Sequence, residues 1–255
     1  MKISALASGS SGNCFYINNG NSSILVDCGI SCKQVLEKLA SLRQNPKNIK
    51  GVFVTHEHTD HIRGVDVLAR ELGVPVYATS GTCKNGFLCS QEELINVIKN
   101  DETLKIGGME VETFSKPHDA SDPISLRIRN GETLSIITDV GYASKEVCES
   151  VSDSDFLILE SNHDIQMLEN GPYPAFLKKR ILGDRGHLSN LNSGLCVLEH
   201  GTRKLRNIVL AHLSAVNNTS SLALSNFKNL MKERKDMKPR IFISERETAT
   251  PIFNM

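Results

Sequence analysis

The chain has 255 residues, of which 40% are hydrophobic and 23% charged, so it is long and apolar enough to bury a core of its own. Its formal net charge is +0, and any nucleic-acid or membrane partner would therefore have to bind a local basic patch. The seven cysteines include no Cys-x-x-Cys pair, which indicates reduced thiols rather than a disulfide framework. The apolar run after Met1 ends at Ala7, too early for a secretory signal, and no stretch approaches the roughly 20 apolar residues of a membrane span. We therefore expect an untargeted cytoplasmic protein.

The first part of the chain predicts an antiparallel opening followed by alternating helices and strands. Val35, Leu36 and Leu39 recur at helical spacing after Ser31, which predicts an amphipathic helix. Strands are predicted at 2–7, 14–18, 24–27, 52–54 and 75–78, and helices at 31–42 and 62–72. The segment 91–99 fits either a helix or an extended loop.

The second part of the chain is richer in strands. Residues 156–160 form a continuous apolar run, which is typical of a strand buried in a parallel sheet. Strands are predicted at 102–106, 109–115, 124–129, 134–139, 156–160, 207–210 and 241–243, with helices that start at 189 or 190 and at 220. No repeat, low-complexity tract or linker interrupts the pattern, so we expect a single domain over 1–255.

The stretch VFVTHEHTDH places potential metal ligands directly after an apolar strand. A strand end holds the loop that follows it, so the pattern favours a preformed site over a charged surface turn, although a surface turn is the simpler alternative. Three of the eight histidines of the chain fall in this stretch. His56 and His58, one residue apart, can reach one ion, while Asp60 and His61 can reach a second. Imidazole ligands in this number suit Zn, Mn or Fe better than Mg or Ca.

Further ligands must come from other segments of the chain. His118, Asp139 and His212 each follow a predicted strand and are the candidates. Asp27 also ends a strand, where it either orients a neighbouring ligand or belongs to an ordinary turn. Asp60 stands four residues after His56, so the stretch is not the His-Glu-x-x-His helix of zinc proteases.

The pattern His-x-His-x-Asp-His, with Asp27, His118, Asp139 and His212 in order, resembles the metallo-β-lactamase superfamily along essentially the whole chain. The resemblance implies an α/β fold, a four-layer αββα sandwich with two divalent metal ions. It also implies that His56, His58 and His118 hold the first ion, that Asp60, His61 and His212 hold the second, and that Asp139 bridges them.

Four further stretches, LASGSSGNC, ESNHD, LKKRILGDRGHLSN and LAHLSAVNN, are most similar to the YycJ/WalJ group of bacterial metal-dependent nucleases. This resemblance implies a 5'-to-3' DNA exonuclease in mismatch repair, with a link by gene context to cell-wall signalling. Two metal ions activate water for in-line attack on phosphorus and bind the phosphoryl oxygens. Asp60 and His187 are the candidate catalytic residues. His187, which resembles the Gly-His-Ser/Thr histidine of tRNase Z-like enzymes, would protonate the leaving oxygen, unless it is only a structural histidine.

The chain departs from tRNase Z at Ile136, where the resemblance would require a glutamate that assists proton transfer, and no long tRNA-gripping arm is evident. His163 has no role in the general motif and is interpreted as a pocket residue or a structural one. A basic segment before His187 could contact a nucleic-acid backbone or could simply be a solvated helix face; its residues are Lys178, Lys179, Arg180 and Arg185.

Two other functions stay open at this level. The same fold and ligands could hydrolyse a small ester, thioester or cyclic phosphodiester. The chain could also be a metal-stabilised signalling partner, linked to cell-wall regulation, without catalysis.

Overall fold

The computed structural model describes residues 1–255, whose strands form two seven-stranded mixed sheets accompanied by nine α-helices. The predicted α/β class is thereby confirmed. The chain divides into two compact units, described separately below. The interpretation as a single domain over 1–255 stays a prediction.

Unit 1 comprises Met1–Ser115, Ala120–Gly131 and Glu245–Met255. Its strands are β1 Lys2–Ala7, β2 Cys14–Asn18, β3 Ser23–Val26, β4 Ile49–Phe53, β5 Val76–Thr79, β6 Ile95–Ile98, β7 Thr103–Ile106, β8 Met109–Ser115, β9 Ile124–Asn130 and β14 Phe253–Asn254. Its helices are α1 Cys32–Ser41, α2 Thr59–Ile62, α3 Val65–Leu72 and α4 Ser80–Asn85, and short 3-10 turns cover Pro46–Asn48 and Glu92–Leu94.

One complete sheet lies in unit 1, with the order β14-β1-β2-β3-β4-β5-β6. Strands β1 to β3 pair antiparallel, as the sequence predicted, whereas β3 to β6 pair parallel. Strands β7, β8 and β9 form an antiparallel meander. Helices α1 and α3 contribute Leu39 and Leu68 to a core that includes Val52 and Val54 of the β4 segment. Each fully buried side chain of this kind contributes about 1.5 to 3 kcal/mol, so the core fixes the end of β4, where the ligand motif begins.

Unit 2 comprises Lys116–Asp119 and Glu132–Ser244. Its strands are β10 Glu132–Ile137, β11 Phe156–Glu160, β12 Asn207–Ala211 and β13 Arg240–Ile243, and its helices are α5 Lys145–Asp153, α6 Ile165–Asn170, α7 Ala175–Leu182, α8 Asn190–His200 and α9 Ser220–Met231. The four strands are parallel and ordered β13-β12-β11-β10. Every residue of β11 is buried, which confirms the predicted buried parallel strand. The carboxyl ends of β10, β11 and β12 therefore meet at one edge of the sheet, the usual place for a site in such an arrangement.

The structure corrects two sequence predictions in unit 1. The helix predicted at 62–72 is interrupted, because the Gly64 N–H donates to the carbonyl of Cys28 and a Cβ at Gly64 would lie 1.9 Å from the Ile30 carbonyl oxygen. The segment 91–99, predicted as a helix or loop, contains the parallel strand β6 after a 3-10 turn. Helix α1 follows its prediction closely, and Ser31 and Gln34 form its capping box.

Candidate metal centre

The histidine-rich motif of unit 1 lies between β4 and α2. His56 and His58 follow the strand, and Nε2 of His56 lies 3.1 Å from Nδ1 of His58, so the two imidazoles converge. Asp60 and His61 belong to the short helix α2 rather than to a loop, with Asp60 Oδ2 lying 3.4 Å from His61 Nε2. The motif thus forms two adjacent pairs of metal-type ligands.

Asp27 lies against His61, and its role as a residue that orients a metal ligand stays a prediction. The buried His61 Nδ1 donates to Asp27 Oδ2 at 2.7 Å, and the backbone N–H and hydroxyl of Thr55 donate to the same carboxylate at 2.8 and 2.9 Å. With its proton on Nδ1, His61 has Nε2 as its acceptor nitrogen, which lies 3.1 Å from the side-chain nitrogen of Asn13. This carboxylate–imidazole pairing is the usual support of a metal-binding histidine.

Two loops hold the motif in place through residues that sequence reasoning missed, Asn13 in the loop after β1 and Gly29 in the loop after β3. Asn13 donates from its backbone N–H to the Asp60 carbonyl at 2.8 Å and from its side chain to Asp60 Oδ2 at 3.2 Å. Gly29 is required because a Cβ there would lie 1.7 Å from the Asp60 carbonyl oxygen. The only sequence signal was the Ser-Gly-rich turn containing Asn13.

Unit 2 brings the later candidates together at the carboxyl ends of its parallel strands. Asp139, Glu160, His187 and His212 each present a ligand atom within 4.8 Å of the others. His118 Nε2 lies 4.0 Å from Asp139 Oδ1, and His212 Nδ1 lies 3.2 Å from the same oxygen. Three of these groups are at least nine-tenths buried, as is His118, so the cluster is a polar interior site.

Glu160 is the central residue of this cluster, and the sequence analysis assigned it no role. Nδ1 of His187 and Nδ1 of His212 each donate to its Oε1 at 2.8 Å, while the backbone N–H groups of Val140 and Leu188 donate to Oε2 at 2.9 and 3.0 Å. Burial alone would raise the pKa of Glu160, but the charge of His187 and the hydrogen bonds from both imidazoles outweigh it and hold the pKa at about 2. The carboxylate is therefore ionised at neutral pH and fixes both imidazole tautomers.

Three residues of these clusters adopt left-handed backbone conformations at strand ends. The φ angles are 59° at Asp27, 57° at Asp139 and 55° at His212. Such a conformation costs about 1 to 2 kcal/mol for a residue with a Cβ. Strain of this kind concentrates at functional sites, where it aims side chains that a relaxed turn would direct elsewhere.

Two further histidines are buried in unit 2. Burial lowers the pKa of His118 to about 4, and burial likewise lowers the pKa of His163 to about 4. His163 is 1% exposed and its Nε2 has no hydrogen-bond partner, while its carbonyl accepts from the Asn190 N–H at 2.8 Å. Both are therefore neutral imidazoles at pH 7.

The basic segment before His187 is helix α7 and the loop that follows it. Arg180 pairs its Nε with Asp119, the residue after His118, and Lys178 Nζ donates to the carbonyl of Glu169 at 2.7 Å. Lys179 and Arg185 are exposed. The last two are consequently the cations of this segment that are available to a ligand.

The donor sets in both units fit divalent metal ions. Buried imidazoles lie beside carboxylates, and Asp27 and Glu160 accept hydrogen bonds from the Nδ1–H groups of His61 and His212. Burying so many polar groups costs free energy of desolvation, and bound cations would offset that cost. His/Asp clusters of this composition define a divalent-metal site of the kind found in metal-dependent hydrolases.

Comparison with known proteins supports the assignment to the metal-dependent hydrolases. The model of the beta-lactamase superfamily domain matches residues 22–212, so the chain belongs to that superfamily. It is 36% identical to exodeoxyribonuclease YycJ of Bacillus anthracis, with 92% of this chain and 90% of the relative covered. It is 34% identical to exodeoxyribonuclease WalJ of Streptococcus pneumoniae serotype 2 (strain D39), with 98% and 97% covered.

A solved structure shows the same fold. The metallo-β-lactamase fold protein YhfI of Bacillus subtilis superposes with a TM-score of 0.72 at 18% identity, and 98% of each chain is covered. The predicted superfamily and its fold are confirmed, and the chain is a metal-dependent hydrolase. None of its helices combines the length and apolar character needed to cross a bilayer.

Proposed function

We propose that this protein is a two-metal phosphodiesterase that degrades DNA as a 5'-to-3' exonuclease, and that it acts in the cytoplasm in mismatch repair. The observation that carries the proposal is the Asp139–Glu160–His187–His212 cluster, which joins metal-type ligands to a histidine suited to proton transfer. The near-full-length similarity to relatives named exodeoxyribonucleases supports DNA as the substrate.

The proposed ligand set uses the clusters of both units. One ion would take its ligands from His56, His58 and His118 and the other from Asp60, His61 and His212, and Asp139 would be a ligand common to both. The imidazole content favours Zn, Mn or Fe. When bound, two such ions supply Lewis acidity to a phosphoryl group and lower the pKa of a water.

His187 is the proposed general acid. Its Nδ1 donates to Glu160 Oε1 at 2.8 Å, so Nε2 is the nitrogen that exchanges a proton with the leaving oxygen. A side chain 19% exposed on a buried carboxylate can reach substrate while keeping a fixed orientation. In this proposal Glu160 of β11, the strand next to β10, takes the role of the glutamate that tRNase Z has at the position of Ile136.

Asp60 is proposed to act both as a ligand and as the acceptor that orients the attacking water. The side chain of Asn13 donates to Asp60 Oδ2 at 3.2 Å and holds the carboxylate in place. Such fixed orientation is what an in-line displacement requires of its supporting groups.

Lys179 and Arg185 are proposed to bind phosphates of the substrate strand. Arg180 contributes indirectly, because its ion pair with Asp119 fixes α7 next to the His118 segment. Each phosphate contact of this type adds salt-dependent affinity.

The test is cleavage of DNA labelled at the 5' or the 3' end, with Mn²⁺ or Zn²⁺ added to metal-free protein. The proposal predicts metal-dependent release of label from the 5' end first, abolished by His58→Ala or Asp60→Asn. His200→Ala, which changes a partly exposed histidine at the end of α8, is the matched control and should retain activity. Turnover of small esters, thioesters or cyclic phosphodiesters without DNA cleavage would contradict the proposal, as would cellular function that survives His187→Ala and Asp60→Asn.

A further inference from the structure

Unit 2 contains a basic groove between the end of α9 and the start of β13. Its volume is about 690 Å³, and its apolar lining includes Met231, Met237 and Ile241. Every charged residue that lines the groove is basic, namely Lys228, Lys232, Arg234, Lys235, Lys238 and Arg240. The chain has a formal net charge of +0, so this concentration of one sign produces a positive field that is local to the groove.

Most of this positive charge is not neutralised within the protein. Arg234 is the exception, because its Nε donates to Asp236 Oδ1 at 2.9 Å. The other five cations are exposed, and none of them forms an ion pair. Nζ of Lys232 and Nε of Arg240 donate to the side-chain oxygens of Asn229 and Asn207, which are neutral. The groove therefore offers several cations to an anionic ligand.

The cations lie on both walls of the groove. Lys228 is in the last turn of α9 and Lys232 directly follows the helix, four residues later, so both side chains point to the same face. Arg240 begins β13 on the other wall, two residues after Lys238. Glu233, the acid next to Lys232 in the chain, lines a separate groove together with residues of α6 and α8. A ligand in the basic groove would thus meet cations from two sides.

Two kinds of polyanion fit such a groove, the phosphate backbone of a nucleic acid and an acidic peptide. Strand β13 is at the edge of its sheet, where a peptide could add as a further strand. However, β13 has only four residues, and Pro239, which has no N–H, precedes it between Lys238 and Arg240. Short edge strands with proline and basic residues resist the addition of another strand. DNA needs no such pairing and carries one charge per roughly 1.7 Å of its axis, so the groove favours a phosphate backbone.

The basic groove lies at the opposite end of the parallel strands from the metal-type ligands. Arg240 is in register with Asn207 at the start of β12, whereas His212 follows the end of that strand. Five residues at a rise of about 3.3 Å each separate these two ends by about 17 Å. The phosphates of one DNA strand follow each other at about 3.4 Å along the axis, so about five nucleotides span this distance.

We propose that the basic groove is a second binding site for the phosphate backbone of DNA, at least about five nucleotides away from the scissile bond. The proposal rests on the proposed phosphodiesterase function for the identity of the polyanion. It gives the groove a role in affinity for long substrates and no role in the chemistry of cleavage.

The test measures binding of a fluorescent DNA of about 20 base pairs to metal-free protein, by anisotropy in EDTA at about 50 to 200 mM salt. Lys228→Gln, Lys235→Gln and Lys238→Gln, combined in one groove variant, remove three exposed cations. Each phosphate contact contributes about 0.9 to the slope of log affinity against log salt, so the slope should fall by about 2.7. Over this salt range the wild type should therefore lose about 40-fold more affinity than the groove variant.

The matched control variant combines Lys2→Gln, Lys47→Gln and Lys99→Gln, which remove the same charge from exposed positions of unit 1, and it should keep the wild-type slope. An equal fall of the slope in both variants would overturn the proposal, as would a wild-type slope in the groove variant or a wild-type protein that binds no DNA. A fluorescent polyglutamate peptide tests the other occupant. Loss of peptide binding in the groove variant, with DNA binding unchanged, would assign the groove to an acidic protein segment and overturn the proposal.

Cleavage with added metal ions gives a second readout. The ratio of kcat/KM for the long DNA to kcat/KM for a dinucleotide, which is too short to reach the groove, should fall about 10-fold in the groove variant and stay unchanged in the control variant. A wild-type ratio in the groove variant would contradict the proposal. Failure of the proposed function looks different, because the wild type then cleaves no DNA with any metal, and the binding measured in EDTA still decides whether the groove holds DNA.

Discussion

Replacing Glu160 by Gln changes one atom of a carboxylate that accepts four hydrogen bonds. Its two oxygens each receive two donors, the imidazoles of His187 and His212 on Oε1 and the backbone N–H groups of Val140 and Leu188 on Oε2. The amide of glutamine keeps only one acceptor oxygen. Whichever way it turns, its NH₂ group faces two donors.

The least costly arrangement turns the NH₂ group toward the imidazoles. If they kept their protons on Nδ1, each unpaired buried donor would cost about 1 to 3 kcal/mol. Moving the proton to Nε2 relieves this, but in His212 it blocks the nitrogen that the proposed ligand set requires. We therefore expect Glu160→Gln to lower the free energy of unfolding by about 2 to 4 kcal/mol and the zinc affinity about 10- to 100-fold.

Urea unfolding of metal-free protein and a zinc titration against a chelator measure the two effects separately. Glu199→Gln, an exposed glutamate of α8, is the control with the same change of charge and should alter neither quantity. Wild-type zinc affinity in Glu160→Gln would refute the reasoning that this carboxylate sets the tautomer of a ligand.

Three further predictions follow from the buried contacts. Asp27→Asn should weaken zinc binding about 10- to 100-fold in a titration, because the amide keeps only one of the two acceptor oxygens that receive hydrogen bonds from His61 and Thr55; unchanged affinity would contradict this. Gly29→Ala should lower the free energy of unfolding by about 3 kcal/mol in urea, since its Cβ would lie 1.7 Å from the Asp60 carbonyl oxygen, and a wild-type midpoint would show that the loop moves freely. Burial raises the pKa of Cys196 to about 12, so its thiol should resist Ellman's reagent at pH 8 until the protein unfolds, and fast labelling of the folded protein would refute it.

The parts of the site that follow apolar strands could be predicted from the sequence. Asp139 and His212 come directly after buried runs, and the carboxyl ends of neighbouring parallel strands share one edge of a sheet. The motif at His56 was visible for the same reason, because it follows β4 within three residues. In these cases local sequence alone determines where the side chain emerges.

The contacts between distant segments could not be predicted. Asn13 holds Asp60 across 47 residues, and the apolar pattern of neither segment specifies the partner. The helix break at Gly64 depends on the Ile30 carbonyl, which a helical periodicity cannot reveal. Glu160 was visible at the end of β11, but its four donors come from three segments of the chain, so its role emerges only from the tertiary structure.

The measurement that tests the central claim most directly combines metal analysis of the purified protein with cleavage of 5'- and 3'-labelled single-stranded and duplex DNA. A two-metal phosphodiesterase predicts two divalent ions per chain and metal-dependent release of the 5' label. His58→Ala should lose one ion and the cleavage, whereas His200→Ala should retain both ions and the cleavage. DNA left intact by protein that carries both ions, or the same cleavage by wild type and His58→Ala, would contradict it.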